Sequence, residues 1–123
     1  MAAPTTSGFE VKRVYDEPEP GDGYRVLVDR LWPRGLSRDR AHIDLWAREL
    51  APSTELRRWY GHDPQRFDDF RGRYEQEISE RDLAELIGEL RRRARHERIT
   101  LLTATRDLAS SNAAVLADYL SRG

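Results

Sequence analysis

The chain has 123 residues, the length of one ordinary globular domain, and its 38% hydrophobic and 35% charged residues support a modest core and exclude a wholly disordered chain. Its 21 basic and 22 acidic residues leave a formal net charge of −1, so no global positive field attracts nucleic acid or anionic lipid and any anion must be recognised locally. The absence of cysteine removes disulfides, thiolate metal sites and thiol nucleophiles, and no apolar run approaches the roughly 20 residues of a membrane span.

In chain order, residues 1–8 are small and polar and lack the charged start and apolar middle of a signal peptide. A loose tail, a single domain over residues 9–123 and a cytoplasmic location are expected. Phe9, Val11 and, after a polar step, Tyr15 share one parity against Glu10 and Lys12, which predicts a half-exposed edge strand. Residues 16–23 carry two prolines, two glycines and four acids, a surface loop. That loop is too short for a helical crossover, so the first two strands are expected to be antiparallel neighbours or to be separated in a mixed sheet. Residues 24–28 (YRVLV) read as a central strand covered on both faces. Residues 43–48 alternate like a strand, although Leu45, Arg48 and Glu49 also suit a helix; the strand is favoured.

From residue 53 the period turns helical. Ser53 is a predicted N-cap, Leu56, Trp59 and Tyr60 form an apolar patch, and Gly61 closes the turn. Asp63 caps the next helix with Pro64 at its first position, and Phe67, Phe70, Tyr74 and Ile78 make one core stripe. Ser79 with Asp82 reads as a capping box for a further helix that buries Leu83, Leu86, Ile87, Leu90 and Ala94 and ends in a basic run at 91–95. Residues 99–104 predict a buried strand, and residues 112–120 a last helix with Val115, Leu116, Tyr119 and Leu120 inward. The fold class is therefore α/β: one domain, a small, mixed, mostly parallel sheet with covering helices in Rossmann-like layers.

In such sheets, ligands sit beyond the carboxyl ends of the strands. Two strand-end loops pair arginine with aspartate: Asp29 and Arg30, followed by Trp32, Arg34 and Gly35; and Arg106 and Asp107, followed by Ser110 and Ser111. Guanidinium forks match carboxylate or phosphate, an adjacent aspartate can orient them or accept a proton, and a serine-capped helix start adds amide donors. The bland alternative is that Asp29 with Arg106, or Arg30 with Asp107, ties the loops together as ion pairs. Trp32 either walls a pocket or pins its loop to the core, and Gly35 either admits a ligand or serves a turn. His62 beside Asp63 has the composition of a general base, but adjacent residues align poorly for that work and Asp63 has a capping role. His42 and His96 lack partners at ligand spacing, and glycine-rich nucleotide loops and serine elbows are missing, so neither metal nor cofactor is predicted. The basic run at 91–95 lies among acids at a helix end and reads as a solvated face.

The stretch YRVLVDRLWPRGLS, residues 24–37, resembles the signature of the bacterial YeaO-like family of small domains of unknown function. The likeness continues through DLWARELAPSTELRRWYGHDPQRFDDFRGRY at residues 44–74 and TLLTATRD at residues 100–107. The resemblance implies an α/β domain with a patch drawn from Asp29, Arg30, Trp32, Pro33, Arg34, Gly35, Ser53, Trp59, His62, Asp63, Arg106 and Asp107. The resemblance also implies histidine and asparagine after the last aspartate in many relatives, where this chain has Ser110 and Ser111.

The leading expectation is a small anionic ligand, phosphate- or carboxylate-bearing, with Arg30, Arg34 and Arg106 as charge binders, Asp29, His62 and Asp107 as candidate catalytic groups, and Trp32, Gly35, Ser110 and Ser111 completing the wall. The alternatives are a noncatalytic interaction module or homodimer, in which exposed tryptophan and arginine meet a partner, and, less favoured, a nucleic-acid binder.

Overall fold

Residues 8–122 are described by a computed structural model. Of the expected tail, residues 1–7 lie outside the described residues, and Gly8 is the first residue of a strand. Strands β1 (Gly8–Arg13), β2 (Tyr24–Leu27), β3 (Leu45–Trp46) and β4 (Arg98–Thr103) form one sheet in the order β1-β4-β2-β3, parallel at every pairing. Helices α1 (Arg38–Ala41), α2 (Thr54–Tyr60), α3 (Phe67–Glu80), α4 (Ala84–Ala94) and α5 (Asn112–Ser121) complete the α/β domain.

The antiparallel component of the expected mixed sheet does not occur among the described residues, because β4 lies between β1 and β2. The short connection reaches the far end of the sheet with one 3-10 turn, Pro20–Asp22, and no α-helix: ten residues can span up to about 33 Å, more than the length of either strand. It leaves at Val14, whose N–H continues the ladder to the Thr103 carbonyl at 2.9 Å. It arrives at Asp22, whose carbonyl accepts from Thr100 Oγ1 at 2.6 Å.

Strand parity sorts the sheet into two covered faces. Val26, Val28, Ile99 and Leu101 face α2 to α5, where the Phe70, Tyr74 and Ile78 stripe packs with Leu90, Leu116 and Leu120. Leu27, Leu102 and Val14 face the other way, against Trp32, Leu36, Ile43 and Trp46. That second face is covered by loops and the short α1 and also holds a buried charge cluster. The Arg25 guanidinium meets the Asp22 carboxylate and donates to the carbonyls of Ala41 and His42 at 3.0 Å each.

Several caps are as expected. Ser53 Oγ accepts from Leu56 N at 3.1 Å, Asp63 Oδ1 from Gln65 N at 3.0 Å, and Gly61 closes α2 at φ 53°. Asp63 caps one short 3-10 turn, Pro64–Arg66, before α3 begins. The expected capping box at Ser79 and Asp82 is not formed: Ser79 lies inside α3 and its hydroxyl donates to the Gln76 carbonyl at 2.8 Å. The turn is set instead by burial of Leu83 and by Arg81, whose Nη1 donates to the carbonyls of Glu49 and Ala51 at 2.9 and 2.7 Å. Tyr119, expected inward, is only half buried, with the Arg91 and Arg122 guanidinium groups 5.8 and 5.5 Å from its ring centre. No helix is long and apolar enough to cross a membrane among the described residues.

Candidate functional site

Because every strand runs the same way, all four carboxyl ends emerge at one edge of the sheet. At the adjacent strands β4 and β2 the chain then departs to opposite faces. The loop after β2 packs Trp32 and Leu36 onto the Leu27 and Leu102 side, whereas the loop after β4 leads through a 3-10 turn, Leu108–Ser110, into α5 on the helical side. Such a parting opens a crevice. Here it holds a cleft of about 1130 Å³.

The floor is a clamp between the two strand ends. Asp29, just past β2, accepts from Ala104 N at 2.8 Å, from Thr103 Oγ1 at 2.8 Å and from Asn112 Nδ2 at 3.2 Å. The same Asn112 amide donates to the Val28 carbonyl at 3.0 Å. Both Asp29 oxygens are thus engaged with uncharged donors, and the ion pair between Asp29 and Arg106 contemplated from the sequence does not form; nor does that between Arg30 and Asp107. Asp107 accepts from Ser110 Oγ at 2.8 Å, and Ser111 caps α5 by accepting from Ala114 N at 3.1 Å.

Six arginines line the cleft: Arg13, Arg30, Arg34, Arg57, Arg58 and Arg106. Among the described residues none of them is in an ion pair, although arginines elsewhere, such as Arg71 with Asp118 at 3.1 Å, find carboxylates readily. Nε of Arg13 and of Arg30 is buried with no hydrogen-bond partner. Arg30 Nη2 makes one long contact, 3.5 Å, to the Pro52 carbonyl.

Of the residues singled out from the sequence, Asp29, Arg30, Trp32, Arg34, His62, Arg106, Asp107, Ser110 and Ser111 all border this cleft. Gly35 does not, and sits at φ 76° as a turn glycine with open space around it. Trp32 does pin its loop: its indole N–H donates to the Leu36 carbonyl at 2.7 Å and its ring meets Trp46 edge-on at 5.5 Å. Exposed His62 has a left-handed backbone at φ 58° beside Tyr60. From the patch implied by family resemblance, Ser53 and Trp59 line a separate shallow groove between α2 and α3, and Asp63 is occupied with its cap and with Arg66 at 3.7 Å.

Sequence reading missed Arg13, Arg57, Arg58 and Tyr60 as site residues, and placed Asn112 only at the end of the second loop, where the last helix starts. The helical period does expose Arg57 and Arg58 once Leu56 and Tyr60 are turned inward, but nothing in the sequence aims α2 at the strand ends. Tyr60 supplies that link, its hydroxyl donating to the Ser110 carbonyl at 2.7 Å. Burial raises its pKa, with help from the Asp107 and Asp63 charges and only partly offset by the Ser110 bond, so the phenol stays a donor.

A family model described as "Inactive DUF488-N3 subclade" matches residues 8–123. The chain belongs to the subclade so described. An uncharacterized protein of Mycobacterium tuberculosis is 46% identical over 111 residues, covering 90% of this chain and 92% of the relative. A Mycobacterium bovis protein is similar to the same extent. The uncharacterized protein YeaO of Escherichia coli (strain K12) is 38% identical over 117 residues, covering 91% and 96% of the two chains. No solved structure matches. The YeaO-like resemblance is thereby placed in a family of proteins of unknown function.

Proposed function

We propose that this DUF488-N3 member binds a small phosphate- or carboxylate-bearing molecule in the strand-end cleft and performs no chemistry on it. The observation that carries the reading is the set of six cleft arginines without a carboxylate partner in a molecule whose net charge is −1. Like charges held together oppose folding, so an arrangement that leaves them unpaired is best understood as matched to an anion that arrives later. The clamp engages the carboxylate of Asp29, which supports a positioning role over proton transfer, and the subclade's description as inactive points the same way.

Titration calorimetry with phosphate- and carboxylate-bearing compounds tests the reading. Arg30→Ala and Arg106→Ala should each weaken binding by about 1.5–3 kcal/mol, the worth of a charge-assisted hydrogen bond. The melting temperature without ligand should hold for Arg106→Ala. A fall in that temperature with unchanged affinity would make the arginines structural.

A further inference from the structure

The large hydrophobic side chains left exposed among the described residues are Leu31 at 66% and Tyr15 at 44%, and both border the arginine-lined cleft. An anion alone gives such groups nothing to pack against.

Five of the six arginines fall into two sets by their contacts, with Arg106 outside both. Arg30 reaches toward the Pro52 carbonyl, immediately before the Ser53 cap of α2, the helix that carries Arg57 and Arg58. Separately, the Tyr15 hydroxyl donates to the Arg34 carbonyl at 2.9 Å, and the Arg13 guanidinium lies 5.6 Å from the Tyr15 ring centre. Arg30 and Arg34 are joined by Leu31, Trp32 and Pro33, so the loop after β2 reads cation, apolar stretch, cation. Facing six guanidinium groups are the carboxylates of Asp29 and Asp107, the first already spent on the clamp and the second accepting from Ser110. One small anionic group engages about two or three guanidinium forks, fewer than the six that line this cleft.

We propose that the ligand is a small molecule with an apolar body and an anionic group at each end, one end held by Arg30, Arg57 and Arg58, the other by Arg13 and Arg34, the body against Leu31 and Tyr15. This rests on the anion-binding reading and narrows it to one ligand class.

The test compares three probes by titration calorimetry at fixed ionic strength: inorganic phosphate, hexyl phosphate and hexane-1,6-diyl bisphosphate. The bisphosphate should bind at least about tenfold more tightly than hexyl phosphate, since a tethered second contact adds affinity at little further entropic cost. Arg34→Ala and Arg58→Ala, both exposed positions, should each return it to the hexyl phosphate level with the unliganded melting temperature held. Leu31→Ser should weaken both hexyl compounds severalfold and leave inorganic phosphate unchanged. A bisphosphate no tighter than hexyl phosphate, with phosphate still bound, would overturn the two-ended ligand and leave the anion reading standing. Failure of all three probes to bind would overturn both.

Discussion

Asn112 shows how one side chain can hold a site without touching a ligand. Its amide donates to the Val28 carbonyl and to Asp29, joining the start of α5 to the end of β2, and it is buried at the cleft floor. Asn112→Ala should cost about 1–3 kcal/mol, because a buried carbonyl and a carboxylate oxygen each lose a donor that water replaces poorly. Urea unfolding measures that loss, and a variant as stable as the parent would remove Asn112 from the clamp. On the loop-covered face the corresponding residue is Asp22. Burial alone would raise its pKa, but the Glu19 N–H, Lys12 and Arg25 outweigh it and set the carboxyl below its ordinary value of 3.8. For Lys12 burial works downward and is overcome by Asp22 and Glu19, which raise it above 10.5. A depressed carboxyl pKa means that the unfolded chain binds more protons in that range. The stability Asp22 contributes is thus present above about pH 4 and fades as pH falls through its folded value. The Lys12 contribution is complete below its unfolded pKa and fades above it. The urea midpoint should drop on acidification, and Asp22→Asn, or Lys12→Gln if the first variant fails to fold, should flatten the acid limb. Glu19 and Arg25 lie three residues to either side of Asp22, but Lys12 reaches it only through the fold-over of the loop between β1 and β2, which the sequence does not signal.

At the scale of elements, the strands and the capped helices were legible because their signals are local: β-branched runs, a parity, a serine ahead of an apolar period. What escaped was set by partners distant in sequence. The Ser79 and Asp82 pattern fits a capping box, yet burial of Leu83 and the reach of Arg81 to Glu49 and Ala51 fix that turn. β3 is only two residues long because its pairing with β2 stops at Trp46, a limit that alternation in residues 43–48 cannot reveal. Two glycines separate turn chemistry from packing. Gly23, at φ 66°, passes so close to the first residue of β4 that a Cβ would collide with the Arg98 carbonyl, whereas Gly35, at φ 76°, has nothing within 4 Å of that position. Gly35→Ala should therefore cost only the left-handed penalty of about 1–2 kcal/mol and leave ligand affinity intact. Gly23→Ala adds a backbone collision to that penalty and should destabilise by clearly more in the same unfolding assay. Equal losses would mean that the β1 to β2 loop can shift away from β4 without cost.

For the whole molecule, the decisive fact is how charge is distributed. Fold class and the two arginine-bearing loops were readable from strand ends, and their meeting at one edge follows from a sheet that is parallel throughout. The concentration of unpaired arginine at that edge was not readable, since Arg13, Arg57 and Arg58 come from elements whose aim only packing decides. Elsewhere the surface pairs its charges, as in Arg122 with Glu75 and Arg93 with Glu97. Adding salt should then act oppositely on the two regions, weakening the surface pairs and relieving repulsion within the cleft. Replacing Arg57, Arg58 and Arg106 together by serine should leave the unliganded melting temperature equal or higher at low ionic strength, the stability cost of a site kept ready for an anion. Sodium chloride should narrow the difference, because screening helps only the protein that still carries the repulsion. A chloride salt is the suitable probe, since sulfate and phosphate also stabilise folded proteins by exclusion from their surfaces. A triple variant that melts well below the parent at low salt would mean that these arginines hold the strand-end loops in place, and the cleft would then be a product of packing instead of a binding site.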